Sequence, residues 1–311
     1  MSKMLKLHLL SRAREFTATH GMTEEYKDYI SIVKNQGDLN LCWAYSLTSA
    51  IEMKHALVSG NRLMLDPLTL SNNSVNWWKR HPKTPGYDIC DHYSGDDNNA
   101  YPQVCAVDFM LNSKQTMIFA DGNDSFVYIR DAGIINSDLT VQSLYDQFDK
   151  HKLFYAGIDS VNLGEGAQID DYIKGSGITH AVVITAIGYI DNPSYGLYLE
   201  VLNSWGYDVH HDGLVYIKVA DNEQSVLHDN LNILESMIWI DVDKSVDSTI
   251  TIISITFIAV SFVLIVIDLI LFTLLLKYSK ECSDSCCFCS YCFIKRKYNH
   301  QHDDTDDVVK V

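Results

Sequence analysis

Apolar residues recur at helical spacing from Cys42 to about Val58, at Trp43, Leu47, Ala50, Ile51 and Val58, and Gly60 supplies a stop. Asp38 and Asn40 offer N-cap chemistry just ahead of that helix. Residues 61–125 are turn-rich instead, with Pro67, Pro82, Pro85, Gly86 and the string SGDDNN. Beyond residue 125 the pattern changes to short runs rich in β-branched and aromatic residues. FVYI, LFYAGI, HAVVITAIGYI, GLYLEVL and GLVYIKV all read as strands. Asp191 to Gly196 punctuates two of them as a hairpin connection. Residues 1–21 show no period and read as an N-terminal arm. Helices followed by strands imply an α+β fold of two lobes, a helical lobe over 22–125 and a β-rich lobe over 126–244.

A different pattern begins at Thr249. TITIISITFIAVSFVLIVIDLILFTLLL runs for 28 residues to Leu276 with Asp268 as its single charge. That exceeds the ~20 residues a bilayer core requires, so 249–276 reads as a single transmembrane helix. Lys277, Lys280, Lys295, Arg296 and Lys297 follow it, while Lys244 precedes it. This bias places the tail in the cytosol. The opening MSKMLKLHLL has no signal-like apolar stretch to carry the preceding domain across. The two rules conflict, and the side of the membrane stays open. The tail, 277–311, holds Cys282, Cys286, Cys287, Cys289 and Cys292 beside basic residues. This pattern favours acylation over zinc, because the adjacent Cys286 and Cys287 lack a clean paired spacing.

Composition narrows the class. The 311 residues are 47% hydrophobic, which excludes a largely disordered chain. The formal net charge of −16 argues against a nucleic-acid partner, since no basic surface is available to release phosphate counterions. Outside the tail only Cys42, Cys90 and Cys105 remain, an odd number that suggests one free thiol and a possible pair.

Four residues carry candidate chemistry. Cys42 starts a helix, where orphan N–H groups and the macrodipole favour the reactive thiolate. His180 starts a strand, and an imidazolium beside Cys42 would favour the thiolate further. Asn203 ends another strand, where its carbonyl oxygen could hold the imidazole. Gln36 could offer a side-chain amide to a developing oxyanion.

Taken in order, these segments resemble the papain family of cysteine peptidases. VKNQGDLNLCWAYS, residues 33–46, is similar to the family's nucleophile segment at Gln36, Gly37, Cys42, Trp43, Ala44 and Ser46. His180-Ala181 resembles its histidine segment, and Asn203-Ser204-Trp205-Gly206 with the GLVYIKV that follows resembles its asparagine motif. Weaker matches are Leu70-Ser71, Tyr101-Pro102 and Ala156 to Asp159, and the resemblance spans about residues 25–240.

The resemblance implies a two-lobed fold with Cys42 as nucleophile, His180 as base and acid, Asn203 as orienter and Gln36 as oxyanion donor. Trp205 would shield the Asn–His hydrogen bond. It implies a peptide or protein substrate, with no metal and no cofactor. Three departures stand out. Leu39 occupies the place of a family Cys, and Cys90 resembles that residue's former partner, left either to pair with Cys105 or to stay reduced. The family's substrate-binding Gly pair is reduced to Ser94-Gly95, and 41 residues before Cys42 are too few for the usual pro-segment. A membrane-anchored chain with these features resembles the papain-like peptidases of large DNA viruses. The competing expectation is a catalytically degenerate, anchored binding or structural protein on the same fold.

Overall fold

The computed structural model describes residues 16–80, 103–113, 125–135, 138–160, 163, 166–243, 246–247 and 260–277. Cys90, Gly95, Tyr101, Pro102, the tail cysteines and residues 249–259 of the apolar run lie outside these.

Residues 1–248 form one unit, organised around strand β6 (His180–Ile190). Its first half pairs with β4 (Phe154–Ile158), and its second half with β1 (Phe16–Gly21). Its other edge pairs with β7 (Leu197–Leu202), which continues to β8 (Leu214–Ala220) and then, in parallel, to β5 (Gln168–Ile169). On the far side β4 leads to β9 (Ile238–Val242) and β3 (Ile129–Ile134). A separate short ribbon joins β2 (Ser125–Phe126) to β10 (Val246–Asp247).

The sheet separates two apolar clusters. Ala181 and Val183 of β6 face one cluster, while Val182 and Ile184 face the other, as the two-residue strand period requires. An irregularity between Ile184 and Ala186 resets this alternation, so Ala186 rejoins Ala181 and Val183. Val182, Val183, Ile184 and Ile187 have no exposed surface, and each is worth about 1.5–3 kcal/mol relative to an exposed side chain. Helix α1 (Cys42–Ser59) fills the first cluster and is buried almost throughout, together with α2 (Pro67–Arg80) and α3 (Gln103–Ser113). Helix α4 (Val141–His151) covers the second.

Gly60 ends α1 as expected, in the left-handed region at φ 73°, its N–H reaching Ala56 O at 2.8 Å. Four sequence expectations need correction. Residues 16–21 are not part of a loose arm but a strand on β6, because Phe16 buries its ring in the core. Residues 61–125, turn-rich in sequence, hold both α2 and α3. Pro67 opens α2 rather than breaking it, since Asp66 Oδ1 and Oδ2 cap the N–H groups of Leu68 and Thr69. Neither Asp38 nor Asn40 caps α1; its N-cap is Leu41, with no side-chain cap bond. Within the β-rich half, Thr140 and Ser143 form a reciprocal capping box that starts α4, a helix the strand-rich pattern did not announce.

Residues 249–311 form the second unit. Its described part is helix α5 (Val260–Lys277), 18 residues with mean hydropathy 2.5, none of them buried. By length and composition it suffices to cross a membrane.

Candidate active site

Cys42 begins α1, and the backbone at Ala181 hydrogen-bonds toward its sulfur. Ser46 Oγ donates to Ala181 O at 2.7 Å, and Tyr155 Oη donates to Trp43 O at 3.3 Å. The first turn of α1 is thereby clipped to β6 and β4. Cys42 is a free thiol and is 8% exposed.

His180 stands beside Ala181, opposite Ile158 of β4. Its Nε2 lies 2.8 Å from Asn203 Oδ1, which also accepts Ser204 N–H at 2.7 Å. An oxygen already accepting one donor requires another from the ring, so Nε2 carries the proton. In the neutral imidazole Nδ1 is then the acceptor. Asn203 itself is held at the end of β7 by its N–H bond to Gly213 O at 2.9 Å. Trp205 packs on His180, ring centroids 4.9 Å apart and planes tilted by 38°. Its indole also meets His210, at 5.7 Å and 31°. His210 is anchored by Nδ1–H to Gly166 O at 3.1 Å.

Gln36 is buried on the other side of the asparagine segment. Its N–H donates to Ser204 O at 2.8 Å, and its Oε1 accepts Ser204 Oγ–H at 2.6 Å. Its Nε2 donates to Leu39 O at 2.7 Å, which leaves one amide hydrogen uncommitted. Asn35 bridges to Trp205, and Gly206 N–H donates to Lys34 O at 3.1 Å, so residues 34–36 run against 204–206. Beneath them Lys34 Nζ donates to Glu52 Oε1 at 2.7 Å and Thr48 Oγ1 at 2.8 Å. Glu52 also accepts Ser31 Oγ–H at 2.5 Å and Leu65 N–H at 2.6 Å.

Burial pushes the Cys42 thiol up from its ordinary value, against backbone hydrogen bonds from Ala181, Trp43 and Cys42 that favour the thiolate. Burial likewise pushes His180 down, opposed by the bond to Asn203 and reinforced by His210. The helix start does favour a thiolate, but the buried setting of both groups favours thiol and neutral imidazole at rest.

The residues read from the sequence thus sort cleanly. Cys42 meets Ala181 beside His180; His180, Asn203 and Trp205 cluster; Gln36 joins them through Ser204. Cys105 lies elsewhere, buried in α3 and disulfide-bonded, and its expected partner Cys90 is outside the described residues. Sequence reasoning missed Ser204 and His210 as neighbours of the site, and the Lys34–Glu52 pair beneath it. Ser204 was visible within the NSWG motif, but nothing in the local pattern pointed a histidine five residues after Trp205 at its indole. Among the described residues no group of three or more His, Cys, Asp or Glu is arranged to hold a metal ion.

No family model matches the chain. Among curated proteins it is similar to a "Cathepsin L-like" protein of Caenorhabditis elegans, 24% identical over 210 residues, 63% of this chain and 57% of that one. It is also similar to a "P34 probable thiol protease" of Glycine max, 26% identical over 62% of this chain and 51% of that protein. A "Cathepsin L-like proteinase" of Phaedon cochleariae is 23% identical over 64% of this chain and 60% of its own length. The chain therefore spans between about half and three fifths of the curated relatives it matches. The resemblance to viral peptidases finds no support in these three. Among solved structures, one concerning the mite allergens Blo t 1 and Der p 1 superposes with TM-score 0.56 and 12% identity, covering 76% of this chain and 73% of its own. Helices packed on a mixed sheet, in that arrangement, give the chain a papain-like α+β fold.

Proposed function

We propose that the chain is a papain-like cysteine peptidase that hydrolyses peptide bonds through Cys42, His180 and Asn203. Cys42 Sγ attacks the scissile carbonyl carbon while its proton passes to Nδ1 of His180, the ring nitrogen left as acceptor by the bond to Asn203. The oxyanion that forms takes hydrogen bonds from the uncommitted Gln36 amide hydrogen and from N–H groups at the start of α1. Collapse breaks the C–N bond, the amine leaves with the proton from His180, and a thioester remains on Cys42. Water, deprotonated by His180, then attacks the thioester, releasing the acid and restoring the thiol. Helix α5 anchors this domain to a membrane in the same reading. The substrate is a protein or peptide, in keeping with the names of the curated relatives.

The observation that carries the reading is the 2.8 Å bond from His180 to Asn203 under Trp205, one residue from the Ala181 backbone that meets Cys42. Hydrolysis of a mixed peptide library by the full chain in detergent micelles tests it. Wild type should cleave, and Cys42→Ser should not, because a hydroxyl beside the same imidazole is a far weaker nucleophile. The competing reading is an anchored binding protein on a degenerate peptidase fold. The burial of Cys42 and His180, 8% and 5% exposed, favours it. It requires that wild type and Cys42→Ser be equally inert.

A further inference from the structure

His210 has a left-handed backbone, φ 59°, a conformation that costs a residue bearing a Cβ and that glycine adopts freely. Its Nδ1–H donates to Gly166 O, so Nε2 keeps the lone pair, and that nitrogen is buried without a hydrogen-bond partner. For the turn alone both features are unfavourable. Glycine would relieve the backbone, and Asn would tolerate it without an unpaired ring nitrogen. What the imidazole adds is an aromatic contact with Trp205, at a centroid distance of 5.7 Å. A strained residue beside a functional group is a reason to ask what the strain maintains.

Residues 206–213 leave the asparagine segment and return to it. At one end Gly206 N–H donates to Lys34 O, and at the other Gly213 O accepts Asn203 N–H. Between them Gly213 N–H reaches Val209 O at 2.9 Å, while His211 and Leu214 exchange two backbone bonds at 3.1 and 2.9 Å. His210 ties this closed turn to a distant part of the chain. Its anchor, Gly166, adjoins Ala167, whose carbonyl accepts Tyr216 N–H from β8 at 2.8 Å. A point fixed on the sheet is thus carried through the imidazole to Trp205, and from the indole to His180 at 4.9 Å.

We infer that His210 is a positioning residue for the hydrolysis, tethered to Gly166 so that it holds the Trp205 indole against His180 and keeps water from the His180–Asn203 hydrogen bond. This rests on the peptidase reading above. A hydrogen bond screened from water is stronger, and the imidazole needs that bond while it takes and returns its proton. The role of His210 runs through Trp205 rather than through the reacting atoms.

Steady-state hydrolysis of one peptide by the full chain in micelles tests the inference, with competent sites counted by epoxide titration of Cys42. Fluorine NMR of the same protein made with fluorotryptophan reports on the indole directly, Trp205→Phe identifying its signal. His210→Gly and His210→Asn both accept the left-handed backbone and both remove the ring. Each should lower kcat per competent site about 10-fold with KM changed less than about 2-fold, inside the roughly 10²-fold that misplacement of a group can cost. Each should also shift the Trp205 signal. A folded variant of either kind with wild-type kcat, or with an unmoved Trp205 signal, would overturn the inference and leave the peptidase reading intact. A change confined to KM would overturn it too, by putting His210 at the substrate. Failure of both variants to fold would also overturn it, by making His210 a residue of the fold alone. A folded wild type that neither labels nor hydrolyses would overturn both readings.

Discussion

His180 and Asn203 come from different strands, yet Nε2 of one and Oδ1 of the other are 2.8 Å apart beneath the indole of Trp205. The Ser204 N–H bond to the same oxygen fixes the amide, so the imidazole has one orientation and one tautomer. Losing His180 removes the proton acceptor, while losing Asn203 removes only its alignment. His180→Ala should therefore lower kcat by about 10²–10⁴, and Asn203→Ala by distinctly less. Steady-state kinetics on both folded variants check this, and equal losses would refute an orienting role.

The buried thiol and buried imidazole set the pH response. Cys42 is shifted up and His180 down, so both protonation changes favour the neutral pair in the resting site. Alkylation of Cys42 by iodoacetamide should be slow in mild acid and should rise steadily with pH as the thiolate forms. A rate constant flat from about pH 5 to pH 8 would show a pre-formed thiolate–imidazolium pair instead.

Beneath the site, Lys34 and Glu52 are 9% and 4% exposed and 2.7 Å apart. Burial lowers the Lys34 pKa, and the partner carboxylate is what counters it. Glu52→Ala should cost about 3–5 kcal/mol by stranding the cation and releasing Ser31 and Leu65 N–H. The double variant Glu52→Leu with Lys34→Met should recover much of that loss in urea unfolding. If the single variant is as stable as wild type, the pair does not hold residues 34–36 against 204–206.

His151 closes α4, stacks on Trp239 at 4.6 Å and has a buried Nε2 without a partner. Burial first, then Lys150 and Lys54, push its pKa down to about 4. The unfolded chain takes up this proton near the ordinary value of about 6.5, and the folded chain resists until about 4. Its stabilising effect is thus full above 6.5 and is lost as pH falls toward 4, by at most about 3 kcal/mol. His151→Phe should flatten the fall in the urea midpoint over that window, and an unchanged slope would contradict the assignment.

What the sequence made legible depended on how local each signal was. Helix α1 shows in its periodicity, and strands β4, β6, β7 and β8 show as short apolar runs because both their faces are buried. Cys42, His180 and Asn203 were found by motif order. The geometry joining them depends on β6 serving as neighbour to β4, β1 and β7 at once, which no local pattern encodes. Helix α2 hid behind Pro67 until Asp66 was seen to cap it, and β1 hid because four residues of Phe16–Gly21 face outward or sit half-buried. The helix start that favours a Cys42 thiolate is likewise local, whereas the burial opposing it comes from the whole fold.

The central claim is that Cys42 is a nucleophile activated by His180. A peptidyl epoxide applied to the folded full chain in micelles, followed by peptide mapping, tests it most directly; in protein produced in cells without acyltransferases Cys282, Cys286, Cys287, Cys289 and Cys292 stay free and serve as internal comparison thiols. The prediction is a single stoichiometric adduct on Cys42, formed at least about 10²-fold faster than on any tail cysteine and slowed to their level by His180→Ala. Labelling of Cys42 no faster than the tail thiols, or unaffected by loss of His180, would contradict it.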